Sequence, residues 1–254
     1  MSSENFVTSL QKGLSVLEAF TPDRPVMKLQ DLTSSTGMPK TTVFRLLRTL
    51  TSLNYLRFNT TTREYSLGPK AMSLGYTTLA SLDLREIARS YLEELSRLSG
   101  QNVNLGILDG AEVVYIDRIT KKQLIKTDHT VGSRVSVHAT ALGRAILAYL
   151  NREEFEKIWK KMLANPVEGQ ELGTKHEEFL GMLKEVRRKG YSLNNEEFIK
   201  GIRAIGAPIF NARREIKGAI NMPVFSKSVS VKQLTSQYAP MLISTAERIS
   251  ASVA

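Results

Sequence analysis

The sequence predicts an α+β protein in two parts: a small helical unit closed by a short β-hairpin, then a larger unit on a mostly antiparallel sheet. Three observations predict it. Residues 39–53 place Val43, Leu46, Leu47, Leu50 and Leu53 on one stripe of a helix, directly after a Gly37–Pro39 turn. Two pairs of β-branched-rich runs flank turn signals, Asp109-Gly110 and residues 211–214. Beyond residue 100, strand-like and helix-like patterns alternate. The expected division is 1–68, a linker helix over 69–82, and 83–254.

Residues 6–20 read as a first helix with Val7, Leu10, Leu14, Leu17 and Phe20 on one side, broken by Thr21-Pro-Asp-Arg-Pro25. A short second helix fits 29–35, burying Leu29 and Leu32. Gly37 closes it as a left-handed cap, and Pro39 opens the third helix where no N–H is needed. Two helices joined by so short a turn have helix-turn-helix geometry. Residues 55–58 and 64–67 then form a hairpin, a wing, around the polar tip 59–63.

The third helix shows a second face carrying Thr41, Arg45, Arg48 and Ser52. From Gly37 to Arg63 the chain holds Lys40, Arg45, Arg48, Arg57 and Arg63 and neither Asp nor Glu. An uncompensated basic face beside small hydroxyl residues suits phosphates and base edges. Arg63 fits either a phosphate contact or a solvated turn. The formal charge of +10 favours a polyanionic partner without proving one.

Further on, residues 70–82 read as the linker helix, and Asp83-Leu-Arg-Glu86 as a capping box opening a helix to Gly100. Strands are expected at 102–108, 112–118 and 123–128. Helices follow at 140–150 and 153–163, and a capping box at Thr174-Lys-His-Glu177 leads a helix to Gly190. Strands at 201–209 and 216–224 pair, and a last helix begins after Ser230.

Catalytic classes find little support. The chain has no cysteine, and His129, His138 and His176 are too scattered for a metal site, so neither metal nor cofactor is expected. There is no G-x-S-x-G elbow, Walker loop or G-x-G-x-x-G. Ser136 and His138 would share one strand face, but such pairs arise by chance and no third group accompanies them. No apolar run spans a membrane, so a cytoplasmic protein without membrane contact is expected.

Four blocks carry a resemblance: GMPKTTVFRLLRTL at 37–50, YSLGP at 65–69, VHATALGRAILA at 137–148, and GYSLNNEE at 190–197 followed by GIR at 201–203. In this order and spacing they resemble the isocitrate-lyase-regulator (IclR) family of bacterial transcription factors over nearly the whole chain. The resemblance implies a winged helix-turn-helix domain, a linker helix and a GAF-like effector-binding domain. It implies a homodimer or homotetramer that joins through the N-terminal domains and linker. The implied partners are double-stranded operator DNA and a small organic acid. Lys40, Thr41, Thr42, Phe44, Arg45 and Arg48 would contact DNA, with Arg63 added from the wing. Arg45 and Arg48 suit guanine edges and phosphates alike, and Thr42 and Phe44 also suit helix packing.

By the same resemblance, Ala141 and Leu142 would offer backbone N–H groups at a helix start to a carboxylate, and Asn194, Ile202, Ala204, Asn221 and Pro223 would line the remaining pocket. Relative to members that bind small keto-acids, Asn194 replaces a common Asp, Ala204 a common Cys and Asn221 a common Ser. The polar complement of the ligand should differ accordingly. Asn194 and Asn221 also fit a purely local role, capping backbone. Repression is the expected output, although the same contacts serve activation at another operator position.

Overall fold

The computed structural model describes residues 6–121, 129–164 and 175–254. The chain divides into two compact units, Met1–Ser81 and Leu82–Ala254.

In the first unit, α1 (Thr8–Glu18), α2 (Leu29–Thr36) and α3 (Lys40–Ser52) close around Val16, Leu32, Val43 and Leu47, all fully buried. Gly37 ends α2 in the left-handed region at φ 65°, its N–H bonded to the Thr33 carbonyl. Pro39 then caps α3 at φ −55°. Strands β1 (Val26–Lys28), β2 (Leu56–Asn59) and β3 (Glu64–Leu67) form a sheet in the order β1-β3-β2. Here β1 is an addition to the sequence expectation, because three residues are too few to show alternation. α4 (Pro69–Ala80) follows with proline in its first turn.

The expected apolar side of α1 is corrected. Leu17 and Phe20 of the expected side pack on the core together with Val16, whereas Val7, Leu10 and Leu14 stand exposed. The helix carries two apolar stripes, and only the one turned toward α3 finds a partner inside the unit. Leu53, expected on the buried stripe of α3, follows the helix end and is also exposed.

The second unit opens with α5 (Asp83–Ser99), ended by Gly100 at φ 69°. Six strands follow: β4 (Val103–Asp109), β5 (Glu112–Ile119), β6 (Arg134–Ser136), β7 (Ser192–Asn195), β8 (Ile202–Phe210) and β9 (Ile216–Phe225). They are ordered β6-β5-β4-β9-β8-β7, with every neighbouring pair antiparallel. Helices α6 (Ala141–Leu147), α7 (Arg152–Ala164) and α8 (His176–Lys189) lie between β6 and β7 in the chain. α9 (Val231–Gln233) runs through a π turn at Leu234–Tyr238 into α10 (Ala239–Ser252).

α6 packs on one face of this sheet, and α5 and α10 pack on the other. Glycine lets α6 approach its neighbours closely at two points, the turn that precedes it and strand β8. A side chain at Gly143 would run into the Val137 backbone, and one at Gly206 into the Ala141 carbonyl. The helix therefore sits almost against the strands, which brings its start next to the centre of the sheet.

Two capping boxes shift. Leu82, not Asp83, is the cap of α5 and makes no side-chain cap bond, so Asp83 and Glu86 serve instead as first-turn acids. Lys175 caps α8, its N–H bonded to Glu178, one residue later than expected. α6 ends at Leu147, short of residue 150. The strand expected at 123–128, and Thr174, lie outside the described residues.

Candidate functional site

Each unit presents one surface suited to recognition. In the first, Lys40, Thr41, Phe44, Arg45 and Arg48 are exposed on α3, Thr42 is half-buried, and Val43 and Leu47 anchor the opposite face. Among the described residues, no ion pair engages Lys40, Arg45, Arg48, Arg57 or Arg63. Such a face keeps its charge free for an external anion. At the wing, Asn59 Oδ1 accepts from the N–H groups of Thr61 and Thr62 at 2.9 and 3.2 Å. Arg63 follows in the left-handed region at φ 60°, exposed at the hairpin tip. The Phe58 and Tyr65 rings meet in a tilted pair, centres 4.6 Å apart, on the two strands of the hairpin.

In the second unit a cavity of about 40 Å³ lies where the start of α6 meets the sheet. Six of the residues expected from sequence line it: Ala141, Asn194, Ile202, Ala204, Asn221 and Pro223. Leu142 does not. Its side chain is fully buried in the core beside Gly106, leaving its backbone amide as the part nearest the expected role. α6 is only seven residues long, and Thr140 already caps it by accepting from Gly143 N at 3.1 Å.

Seven further lining residues escaped the sequence reading: Asn104, Tyr115, Arg118, His129, Thr140, Phe198 and Ile199. Asn104 and Asn221 face each other across β4 and β9, and Asn104 Nδ2 donates to Asn221 Oδ1 at 2.8 Å. Asn221 in turn hydrogen-bonds the Tyr115 hydroxyl. Burial raises the Tyr115 pKa, against the opposing effects of Arg118 and that bond. The His129 ring stacks between Tyr115 at 5.8 Å and Phe198 at 6.0 Å, near parallel to both. The Arg118 guanidinium lies 5.8 Å from the Tyr115 ring centre. Its pKa is lowered by burial, partly offset by Tyr115. Among the described residues that line it there is no Asp or Glu.

Asn194 braces the wall as well as forming it. Its Nδ2 donates to the Ala139 carbonyl at 2.6 Å, and its Oδ1 accepts from Glu197 N and Phe198 N. The loop is locked again by Arg144, which pairs with Glu197 at 2.7 Å and donates to the His138 carbonyl at 2.7 Å. Burial pushes the Glu197 carboxyl pKa up, but Arg144 and the Asn195 N–H outweigh it and hold the pKa below the usual value.

Ser136 Oγ and His138 Nδ1 do meet, at 2.7 Å. They line a separate cavity, where Asp109 and Glu112 are both held by Arg134 at 2.7 Å. Among the described residues, no group of three His, Cys, Asp or Glu is placed to hold a metal, and no helix is long and apolar enough to cross a membrane.

The family model for the "IclR helix-turn-helix domain" matches residues 9–60, and that for "Bacterial transcriptional regulator IclR C-terminal" matches residues 76–251. The chain belongs to the IclR family. Its members here are DNA-binding transcriptional regulators, not enzymes. The HTH-type transcriptional regulator XynR of Escherichia coli is 31% identical over 228 residues, covering 90% of each chain. The transcriptional repressor IclR of the same organism is 28% identical over 254 residues, covering 96% of this chain and 89% of that one. An IclR-family regulator from Brucella abortus has a solved structure with TM-score 0.83 and 26% identity, covering 99% of this chain and 95% of its own. As in the IclR architecture, an N-terminal helix-turn-helix domain precedes an α+β C-terminal domain.

Proposed function

We propose that this IclR-family protein is a ligand-responsive cytoplasmic repressor of a catabolic operon. It binds operator DNA as a dimer or tetramer through Lys40, Thr41, Thr42, Phe44, Arg45, Arg48 and Arg63. The domains act as 1–68 for DNA, 69–82 as linker and 83–254 for the effector. The effector is a small organic acid held among Ala141, the Leu142 amide, Asn194, Ile202, Ala204, Asn221 and Pro223.

The observation that carries this reading is the electrostatics of the cavity. Among its described lining residues Arg118 is a cation and none is a carboxylate, and the remainder are amide, hydroxyl, imidazole and apolar groups, which favours a compact anion over a neutral hydrocarbon. For assembly, the support is the apolar surface the first unit leaves uncovered: Phe6, Val7, Leu10 and Leu14 at α1, and Met72, Leu74 and Tyr76 on α4. The effector would shift the balance between conformations holding paired recognition helices at different spacings, by no more than its differential affinity for them.

Fluorescence anisotropy with the chain's own upstream promoter DNA, with and without small carboxylic acids, tests the proposal. Specific, salt-sensitive binding that one or more acids weaken is expected. Binding that no acid alters, with Ala204→Leu equally silent, would remove the effector from the reading.

A further inference from the structure

The second unit carries another cleft, of about 370 Å³, where the β8–β9 turn, the C-terminal half of α10 and the segment after α6 meet. It shares no lining residue with the effector cavity. Ala207, Ile243 and Ala246 give it an apolar surface, and Tyr149 and Phe210 stand edge to face beside them at 4.9 Å. Among its described lining residues Arg214 is the cation and Glu247 the carboxylate.

The turn fixes Arg214. Asn211, 8% exposed, accepts from Arg213 N and Glu215 N at 3.1 and 2.9 Å and donates to the Glu215 carboxylate at 2.8 Å. Phe210 N donates to Ser250 Oγ at 3.0 Å, which ties the turn to α10. Arg214 itself lies in the left-handed region at φ 64°, a conformation that glycine or asparagine adopts at less cost. A turn that only reverses the chain gains nothing from arginine there, and strain of this kind persists where the side chain has a use. The Arg214 guanidinium lies 5.9 Å from the Phe210 ring centre. Burial raises the Tyr149 pKa against the opposing charges of Arg187 and Arg214, so both guanidinium groups act at that hydroxyl.

The charges narrow the ligand. Among the described residues, neither Arg214 nor Glu247 forms an ion pair, and the Tyr149 hydroxyl has no hydrogen-bond partner. A simple carboxylate would suit Arg214 and Tyr149 but bring a second negative charge toward Glu247. An amine would suit Glu247 and be repelled by Arg214. A zwitterion answers both, and an apolar side chain attached to it would cover Ala207, Ile243 and the Phe210 ring.

We propose that this cleft is a second ligand site, which binds an α-amino acid with an apolar side chain. The carboxylate sits on Arg214 and the Tyr149 hydroxyl, and the ammonium on Glu247.

The test is titration calorimetry of the full chain with leucine and phenylalanine and with their matched fragments. The fragments are 4-methylpentanoate and 3-methylbutylamine for the first, and 3-phenylpropanoate and 2-phenylethylamine for the second. At least one amino acid should bind with a Kd at or below about 1 mM. It should bind at least about tenfold more tightly than either of its fragments. Arg214→Gly should weaken that binding at least about tenfold while Tm stays level or rises, because glycine relieves the turn. Arg214→Asn, which also tolerates the left-handed region, carries the same expectation for binding. Glu247→Gln should cut the preference over the deaminated acid to less than about threefold. Absence of amino-acid binding within that limit, or a fragment that binds as tightly, overturns the proposal. So does an affinity that survives both Arg214 substitutions, or a preference that survives Glu247→Gln.

Discussion

Arg144 and Glu197 meet at 2.7 Å across the junction between α6 and the loop after β7, with Arg144 nearly buried and Glu197 about half exposed. The same guanidinium donates to the carbonyls of His138 and Leu193, so one side chain joins the approach to α6, the end of β7 and the cavity wall. Its worth is asymmetric. Arg144→Ala should destabilise the second unit by about 2–4 kcal/mol, since it strips donors from buried carbonyls. Glu197→Gln should cost about 1 kcal/mol or less, because its carboxylate is half in water. Urea unfolding followed by tryptophan fluorescence of Trp159 measures both; equal losses would show that the ion pair, not the carbonyl bonds, dominates.

The same pair sets a pH dependence. The folded pKa of Glu197 lies below its ordinary value, so its contribution is complete above about pH 4.5 and is lost as pH falls through the depressed folded pKa. The drop in Tm between pH 6 and pH 3 should therefore be smaller in Glu197→Gln than in the unaltered chain. Identical acid profiles would assign the sensitivity to other carboxylates.

Gly143 leaves no room for a side chain against Val137. Gly143→Ala should push α6 away from the turn that precedes it, destabilising the unit by roughly 1–3 kcal/mol or more, and should reshape the cavity along with it. Thermal unfolding and acid binding read the two effects separately. An unchanged Tm would mean that the α6 backbone yields easily.

On α3, Arg45→Ala and Arg48→Ala should each weaken operator binding. A residue that contacts only phosphate should lower the slope of log affinity against log salt by about 1, whereas a base contact should cost about 1–3 kcal/mol and relax sequence preference. Salt titrations on operator and scrambled DNA distinguish these roles. If both variants bind as the unaltered chain does, the reading face lies elsewhere on the unit.

The uncovered apolar residues of α1 and α4 lead to a separate expectation. Leu10→Glu and Tyr76→Glu should shift the protein toward monomer in light scattering while leaving the helical circular dichroism signal intact, since both side chains are exposed within the chain. An unchanged oligomer mass would place the subunit contact in the second unit.

Much of this was legible in the residues. The period of α3, the turn made by Gly37 and Pro39, and the Asp109-Gly110 hairpin are local signals, since backbone preference and helical or strand spacing act over a few residues. The basic, acid-free interval around α3 was equally readable, because charge is a property of composition. Tertiary contact decided the rest. Val7, Leu10 and Leu14 have the same apolar chemistry as Val16, and only the direction of α3 makes one stripe core and leaves the other exposed. Asn104 alternates with Val103 and Leu105 as a solvent-facing residue would, yet β4 is buried on both faces because α6 covers one and α5 the other. The cavity follows from that covering. Its lining residues come from β4, β5, the segment before β6, the start of α6, β7 and the loop after it, β8 and β9, segments up to about 120 residues apart that no local pattern connects. The α3 face proposed to read DNA is written in consecutive residues, whereas the bond between Asn104 and Asn221 joins strands 117 residues apart and exists only in the folded sheet.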